Sequence, residues 1–231
     1  MDLKKLNKNR VLIKDIFSSK GKNVEVVGWI NNSRDLSKVK FILLKDSSGT
    51  IQVTGVKGKT PDKIFKDMEK ITKESVIYVK GTIKDSKQAP GGKEINPDEI
   101  VVLNPSNKLS IDVSDFSKTE LPKRLDYRFL DLHREKIQAI FKIQGEIAKS
   151  FRDFFYDNEF KEVFLPSVIS SSSEGGTDLF SVKYFEKKAY LAQSPQLYKQ
   201  MIATSPIEKV FTITPVWRAE KHNTVRHLNE S

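Results

Sequence analysis

The sequence predicts an α+β protein in two parts, a small β-barrel followed by a mixed region of helices and antiparallel strands. Three observations carry this. Residues 23–103 alternate short apolar-rich runs with turn residues, residues 135–157 repeat apolar side chains at helical spacing, and a polar, irregular stretch lies between them.

In the first part, "NVEVVGWIN", "KVKFILLKD", "TIQVTGV", "SVIYVKGTIK" and, after a Pro-Gly-Gly loop, "EIVVL" read as five strands. Between the third and fourth, "TPDKIFKDMEKI" reads as one short helix. Thr60 is placed to cap it, Pro61 suits the first helical position, and Ile64, Phe65, Met68 and Ile71 share one apolar face. Strands arranged three, helix, two follow the order of an OB-fold, a small barrel whose exposed face and loops hold oligonucleotides, although other small barrels share that order. Along the third strand Gln52 shares its face with Thr50 and Thr54, while Ile51 and Val53 point the other way.

From Asn104 to Arg134 the text is irregular, as expected of an inter-domain connector. With a boundary near Asn107, the expected parts are a barrel over 1–107, a connector over 108–134 and a second domain over 135–231. The second domain opens on a long amphipathic helix, in which Ile137, Ile140, Ile147, Phe151 and Phe154 form a stripe widened by Phe141, Ala148 and Phe155. It ends at Asp157-Asn158 and leads into "KEVFLP", a brief strand cut off by Pro166, which cannot donate to a ladder. After the glycine-containing loop "SSSSEGGTDLF" come the strands "SVKYF" and "KAYLAQS". In "SPQLYKQMIA", Ser194 is the expected N-cap, Pro195 the first helical residue, and Leu197, Met201 and Ile202 the buried side. Gln196 and Lys199, three apart, face the same way over the end of the preceding strand. The strands "KVFTIT" and "VWRAE" follow, with "KHNTV" as the returning loop.

A formal net charge of +10 and a pI of about 9.5 favour polyanionic partners such as nucleic acid or an anionic membrane face. The absence of cysteine excludes disulfides, thiolate metal sites and thiol nucleophiles. No apolar run approaches the roughly 20 residues of a membrane span, and the first ten residues lack a signal-peptide core, so an intracellular protein without a membrane partner is expected.

"RLDYRFLDL", then helix-strand-proline, then "EGGTDLF", "AQSPQLYKQ" and "VWRAEKHNTVRHLNE" together resemble the aspartyl-tRNA synthetases of the archaeal and eukaryotic kind, over nearly the whole chain. The resemblance implies an OB-fold anticodon domain followed by the first part of a class II synthetase antiparallel sheet with flanking helices, acting in the cytoplasm. The implied reaction is ATP-dependent activation of L-aspartate to the adenylate, then transfer to the 3′ end of tRNA. The helix-strand over 135–166 resembles the first class II motif, which implies a homodimer interface, and "VWRAE…RHLNE" the second, a hairpin that holds ATP and the tRNA acceptor end.

The chemistry needs positioning and charge neutralisation rather than an enzyme nucleophile. By this resemblance Arg218 is the catalytic residue, its planar fork bridging the α-phosphate and the attacking carboxylate, against the alternative of a surface salt bridge to Glu220. Ala219, Glu220, Arg226, His227 and Leu228 join Arg218 in the ATP site, and Lys199 pairs with the aspartate side chain. Gln196, Leu197 and Tyr198 complete the aspartate pocket with Arg218 and with Glu174 on the glycine-containing loop. In the barrel the resemblance implies that Phe41 stacks on an anticodon base, Gln52 reads a base edge and Arg34 adds a phosphate or base contact, with core packing the alternative for Phe41. Asn31 and Pro90 fall at positions associated with accepting tRNA for asparagine as well as aspartate, and His133 departs from the usual "DLRR".

The family's magnesium ligands and third motif are expected beyond Ser231, with no metal site within the chain, so the sequence reads as a fragment that alone does not activate aspartate. Two other readings are a non-catalytic tRNA-binding module and an asparaginyl-tRNA synthetase; "EGGTDLF" and "QSPQLYK" look more like the aspartyl branch.

Overall fold

The computed structural model describes residues 9–18, 23–171 and 179–219. The chain divides into two compact units, Met1–Ser110 and Ile111–Ser231.

The first unit is a closed five-stranded barrel in the order β1-β2-β3-β5-β4, built from β1 (Asn23–Asp35), β2 (Val39–Lys45), β3 (Thr50–Val56), β4 (Val76–Asp85) and β5 (Lys93–Asn104). The β3–β5 pair is parallel and the other pairs are antiparallel. Closure depends on the length of β1, whose first half pairs with β4 and whose second half pairs with β2. Where it changes neighbours it carries Gly28, and a Cβ there would strike the Lys45 carbonyl oxygen of β2, so only glycine permits the approach. The register then slips at Asn31, a bulge that sharpens the local bend.

Alternation fills the barrel. Val26, Ile30, Leu44, Ile51, Val53, Ile77, Val79 and Ile95 are fully buried, and Ile51 and Val53 point inward as β3's pattern predicts. A short helix absent from the sequence reading, α1 (Ile13–Ser18), adds Ile13 and Ile16 to this core. Its first amide donates to Asp46 Oδ2 at 2.9 Å, while Asp46 Oδ1 accepts from the Ser48 and Gly49 amides and closes the β2–β3 turn.

The helix between β3 and β4 is α2 (Asp62–Lys70), with Ile64, Met68 and Ile71 buried as expected. Thr60 does not cap it. Its hydroxyl instead accepts the Val56 amide at 2.9 Å, which closes the turn leaving β3. The fifth strand starts six residues before the predicted "EIVVL", because a register shift opposite Lys80 and Gly81 lets Pro97 sit in the strand without a ladder donor.

In the second unit the connector is more ordered than its composition suggests. It holds α3 (Leu121–Asp126) and α4 (Arg128–Asp131), gathered on Asp131. That carboxylate is fully buried and accepts Arg124 Nε at 2.7 Å and Nη2 at 3.1 Å, Arg128 Nη1 at 3.2 Å and Arg134 Nη1 at 3.3 Å. The Arg124 hydrogen bonds, more than offsetting burial, hold the carboxyl below the usual carboxylate range.

The long helix α5 (Glu135–Asp157) ends on an aromatic cluster. Phe155 stacks on Phe211 at 4.9 Å, and Glu162 accepts Arg152 Nε at 3.0 Å and the Tyr156 hydroxyl at 2.8 Å. These contacts seat β6 (Lys161–Glu162), which runs parallel to β10 (Val210–Phe211). The second sheet has the order β7-β9-β8 and is antiparallel, from β7 (Val168–Ile169), β8 (Ser181–Tyr184) and β9 (Lys187–Leu191), and α6 (Gln196–Ala203) follows it.

Two expectations need correction here. The expected buried side of α6 is open, Leu197 and Met201 being 49% and 60% exposed; the apolar stripe of α5 is open as well, with Ile140, Ile147 and Phe154 57%, 63% and 61% exposed and Ile137 buried. Periodicity specifies an apolar face, not what covers it. "VWRAE" forms isolated bridges at Val216 and Ala219 rather than a strand, and "KVFTIT" pairs only at Val210–Phe211. Among the described residues no helix is long and apolar enough to cross a membrane.

Candidate nucleic-acid interface and amino-acid site

Strand register builds the first site. Arg34 lies opposite Phe41 and Phe41 opposite Thr54; two residues along, Asn32 lies opposite Leu43, Leu43 opposite Gln52 and Gln52 opposite Glu94. Directly opposed residues share a face of a sheet. In β2 the buried positions are Lys40, Ile42 and Leu44, so Phe41 and Leu43 are turned to the outer face. Phe41 is therefore not a core residue, and its ring borders an open cleft of about 620 Å³ together with Arg34, Gln52 and Pro90.

Four of the five predicted barrel residues thus meet in one cleft. The fifth, Asn31, sits at the β1 bulge one residue from the lining Asn32. Glu94 escaped the sequence reading. Its Oε2 accepts Gln52 Nε2 at 3.0 Å and the Thr54 hydroxyl at 2.7 Å, so the Gln52 amide is held with its nitrogen toward the carboxylate and its carbonyl left to accept. A ring, a guanidinium and a fixed amide on one face can hold an unstacked base and its phosphate.

The second candidate site gathers around the start of α6. The helix starts one residue later than expected, with Pro195 rather than Ser194 at its N-cap; the Ser194 hydroxyl, just ahead of it, accepts the Gln196 amide at 3.2 Å, and the Lys199 amide closes the first turn on Pro195 O at 3.1 Å. Gln196 is exposed and Lys199 half-buried. The Trp217 amide donates to Ala192 O at 3.0 Å, which ties the segment carrying Arg218 and Ala219 to the end of β9, four residues ahead of Gln196. Leu197 and Tyr198 border a groove of about 450 Å³ with Ile169 and Met201. Glu174, Glu220, Arg226, His227 and Leu228 lie outside the described residues. Among the described residues no group of three or more histidine, aspartate or glutamate side chains could hold a metal.

Residues 24–103 match the model of the OB-fold nucleic acid binding domain, and residues 120–231 that of the class II tRNA synthetases (D, K and N). Over 91% of its length the chain is 49% identical to the Aspartate–tRNA(Asp/Asn) ligase of Methanopyrus kandleri and 45% identical to the Aspartate–tRNA(Asp) ligase of Thermococcus kodakarensis. The chain carries an OB-fold nucleic acid binding domain and part of a class II tRNA synthetase (D, K and N) domain, and is similar to the aspartate–tRNA ligases. It spans about half the length of these curated relatives, 49% and 48%. Among solved structures it is similar to the asparaginyl-tRNA synthetase of Pyrococcus horikoshii complexed with asparaginyl-adenylate, with a TM-score of 0.88 at 32% identity, covering 96% of this chain and 51% of that one.

Proposed function

We propose that this chain supplies the anticodon-reading barrel and part of the amino-acid-activating domain of an aspartate–tRNA ligase. The meeting of Arg34, Phe41, Gln52 and Pro90 in one cleft supports it most strongly, because a sequence motif names residues but does not bring them together. Identity of 45–49% over 91% of the chain to enzymes named for aspartate favours aspartate as the amino acid.

In this reading Phe41 stacks on a base, the Gln52 carbonyl accepts from a base edge, and Arg34 meets a phosphate. Asn31 and Pro90 govern whether the asparagine tRNA is also accepted. In the second unit Lys199 neutralises the aspartate side chain, and Gln196, Leu197, Tyr198 and Glu174 border the amino acid. Arg218 draws the carboxylate and the α-phosphate of ATP together, with Ala219, Glu220, Arg226, His227 and Leu228 around the nucleotide. The carboxylate oxygen attacks the α-phosphorus and pyrophosphate leaves; the tRNA ribose hydroxyl then displaces AMP. Magnesium serves class II synthetases in general. The uncovered stripe of α5 favours a second copy as its partner, since burying such apolar area is worth about 25 cal/mol per Å².

Filter binding of an aspartate tRNA transcript to the chain tests the reading. Affinity is expected to fall steeply with salt, and to drop about tenfold when the middle anticodon base is replaced. Equal affinity for the two transcripts would contradict it.

A further inference from the structure

Lys40 stands where the barrel's core should begin. It is one of three inward-facing residues of β2, with Ile42 and Leu44, and is only 5% exposed. Lysine is almost never buried so deeply unless paired. Its ammonium is bound by Asp35 Oδ2 at 3.1 Å and Glu69 Oε2 at 2.8 Å, and lies 4.8 Å from the centre of the Phe65 ring. The partners come from two elements. Asp35 lies directly opposite Lys40 at the turn end of the β1–β2 hairpin, whereas Glu69 and Phe65 belong to α2.

The cluster therefore bolts the hairpin end to α2. The next pair along the hairpin is Arg34 opposite Phe41, and both side chains of that pair border the cleft on the other face of the sheet. Burying an ammonium incurs desolvation, and an apolar side chain would fill the position without it. What an apolar side chain cannot supply is a directional link between two carboxylates on separate elements. Strand residues alternate faces rigidly, so a small rotation of the hairpin about α2 moves the Phe41 ring and the Arg34 guanidinium together.

We propose that Lys40 is a positioning residue for anticodon recognition: by joining Asp35 to Glu69 it sets the attitude of the β1–β2 hairpin and so places Phe41 and Arg34 in the cleft. This rests on the cleft being the anticodon site. Lys40 does not touch the RNA, and its charge is already neutralised by its two partners. Glu69, at the outer end of the link, is well exposed and unnecessary to the core.

The test measures binding of a short RNA hairpin carrying the aspartate anticodon loop to the full chain and to Lys40→Met, Glu69→Ala, Phe41→Ala and Arg34→Ala, alone and combined. Lys40→Met is expected to raise Kd about tenfold and to lower the salt slope by no more than about one, the share of the displaced Arg34. Glu69→Ala is the sharper variant. It makes the chain more positive, which electrostatics alone would turn into tighter RNA binding, yet it is expected to weaken binding about threefold or more. In a background lacking both cleft side chains, Phe41→Ala with Arg34→Ala, neither substitution should weaken binding further. Should Phe41→Ala itself leave Kd unchanged, the anticodon reading of the cleft fails. Should Phe41→Ala weaken binding while Lys40→Met and Glu69→Ala do not, or should these two still weaken it in the doubly substituted background, the role of Lys40 is overturned and the cleft stands. If Lys40→Met unfolds, Glu69→Ala carries the decision alone.

Discussion

Asp131→Asn is expected to destabilise the second unit by about 3 kcal/mol at neutral pH, the range for breaking a buried ion pair by removing one partner. The carboxylate has no exposed surface and gathers Arg124, Arg128 and Arg134, so its loss leaves neighbouring guanidinium groups without their shared counter-charge. Arg128 is much the most exposed of the three, and Arg128→Ala should cost about 1 kcal/mol or less. The pH dependence follows from the lowered carboxyl pKa, caused first by the hydrogen bonds from Arg124. A depressed native pKa means the unfolded chain takes up the proton first. The contribution is therefore complete above the ordinary aspartate value of about 4 and is lost as pH falls below it toward the native pKa. Urea unfolding separates the units, because the two tryptophans, Trp29 and Trp217, lie one in each. In a Trp29→Phe background, Trp217 fluorescence should report a lowered midpoint for Asp131→Asn and a flattened acid limb. An unchanged midpoint would mean that the connector is held together by something else.

In the barrel, three substitutions should leave three different signatures. Phe41→Ala removes a stacking platform that does not distinguish bases, so affinity for an anticodon hairpin should fall about tenfold whatever the base identity. Gln52→Ala removes a base-edge acceptor and leaves Glu94 without one of its donors; the loss should concentrate on the cognate anticodon and reduce discrimination by about tenfold. Arg34→Ala should weaken binding evenly across sequences and lower the salt slope by about one. Fluorescence anisotropy with cognate and altered hairpins at several salt concentrations reads all three. A Phe41→Ala variant within about twofold of the parent would mean that the ring is not a stacking platform.

Much of this was legible from residue order. Three strands, a helix and two strands gave the barrel, and the polar-apolar alternation of β3 gave the outward face of Gln52. Phe41 was harder, because "FILL" is apolar at four successive positions and carries no alternation; its face is decided by Lys40, a lysine turned inward. Glu94 was hidden because β5 begins before Pro97, which reads as a break until a bulge absorbs it. The six residues of α1 are too few for helical periodicity to register. The stripes of α5 and α6 were correctly located, but a face does not declare its partner, and the burial expected for the α6 side was wrong. For Arg218 and Lys199 the motif supplied identities, and the Trp217–Ala192 hydrogen bond supplies the proximity of their two segments.

The most direct measurement uses a hairpin with 4-thiouridine at the middle anticodon position, cross-linked to the chain and mapped by mass spectrometry. The cross-link is expected within β2 or β3, on peptides containing Phe41 or Gln52. A cross-link confined to the second unit, or to barrel strands away from the cleft, would contradict the assignment of this face to the anticodon.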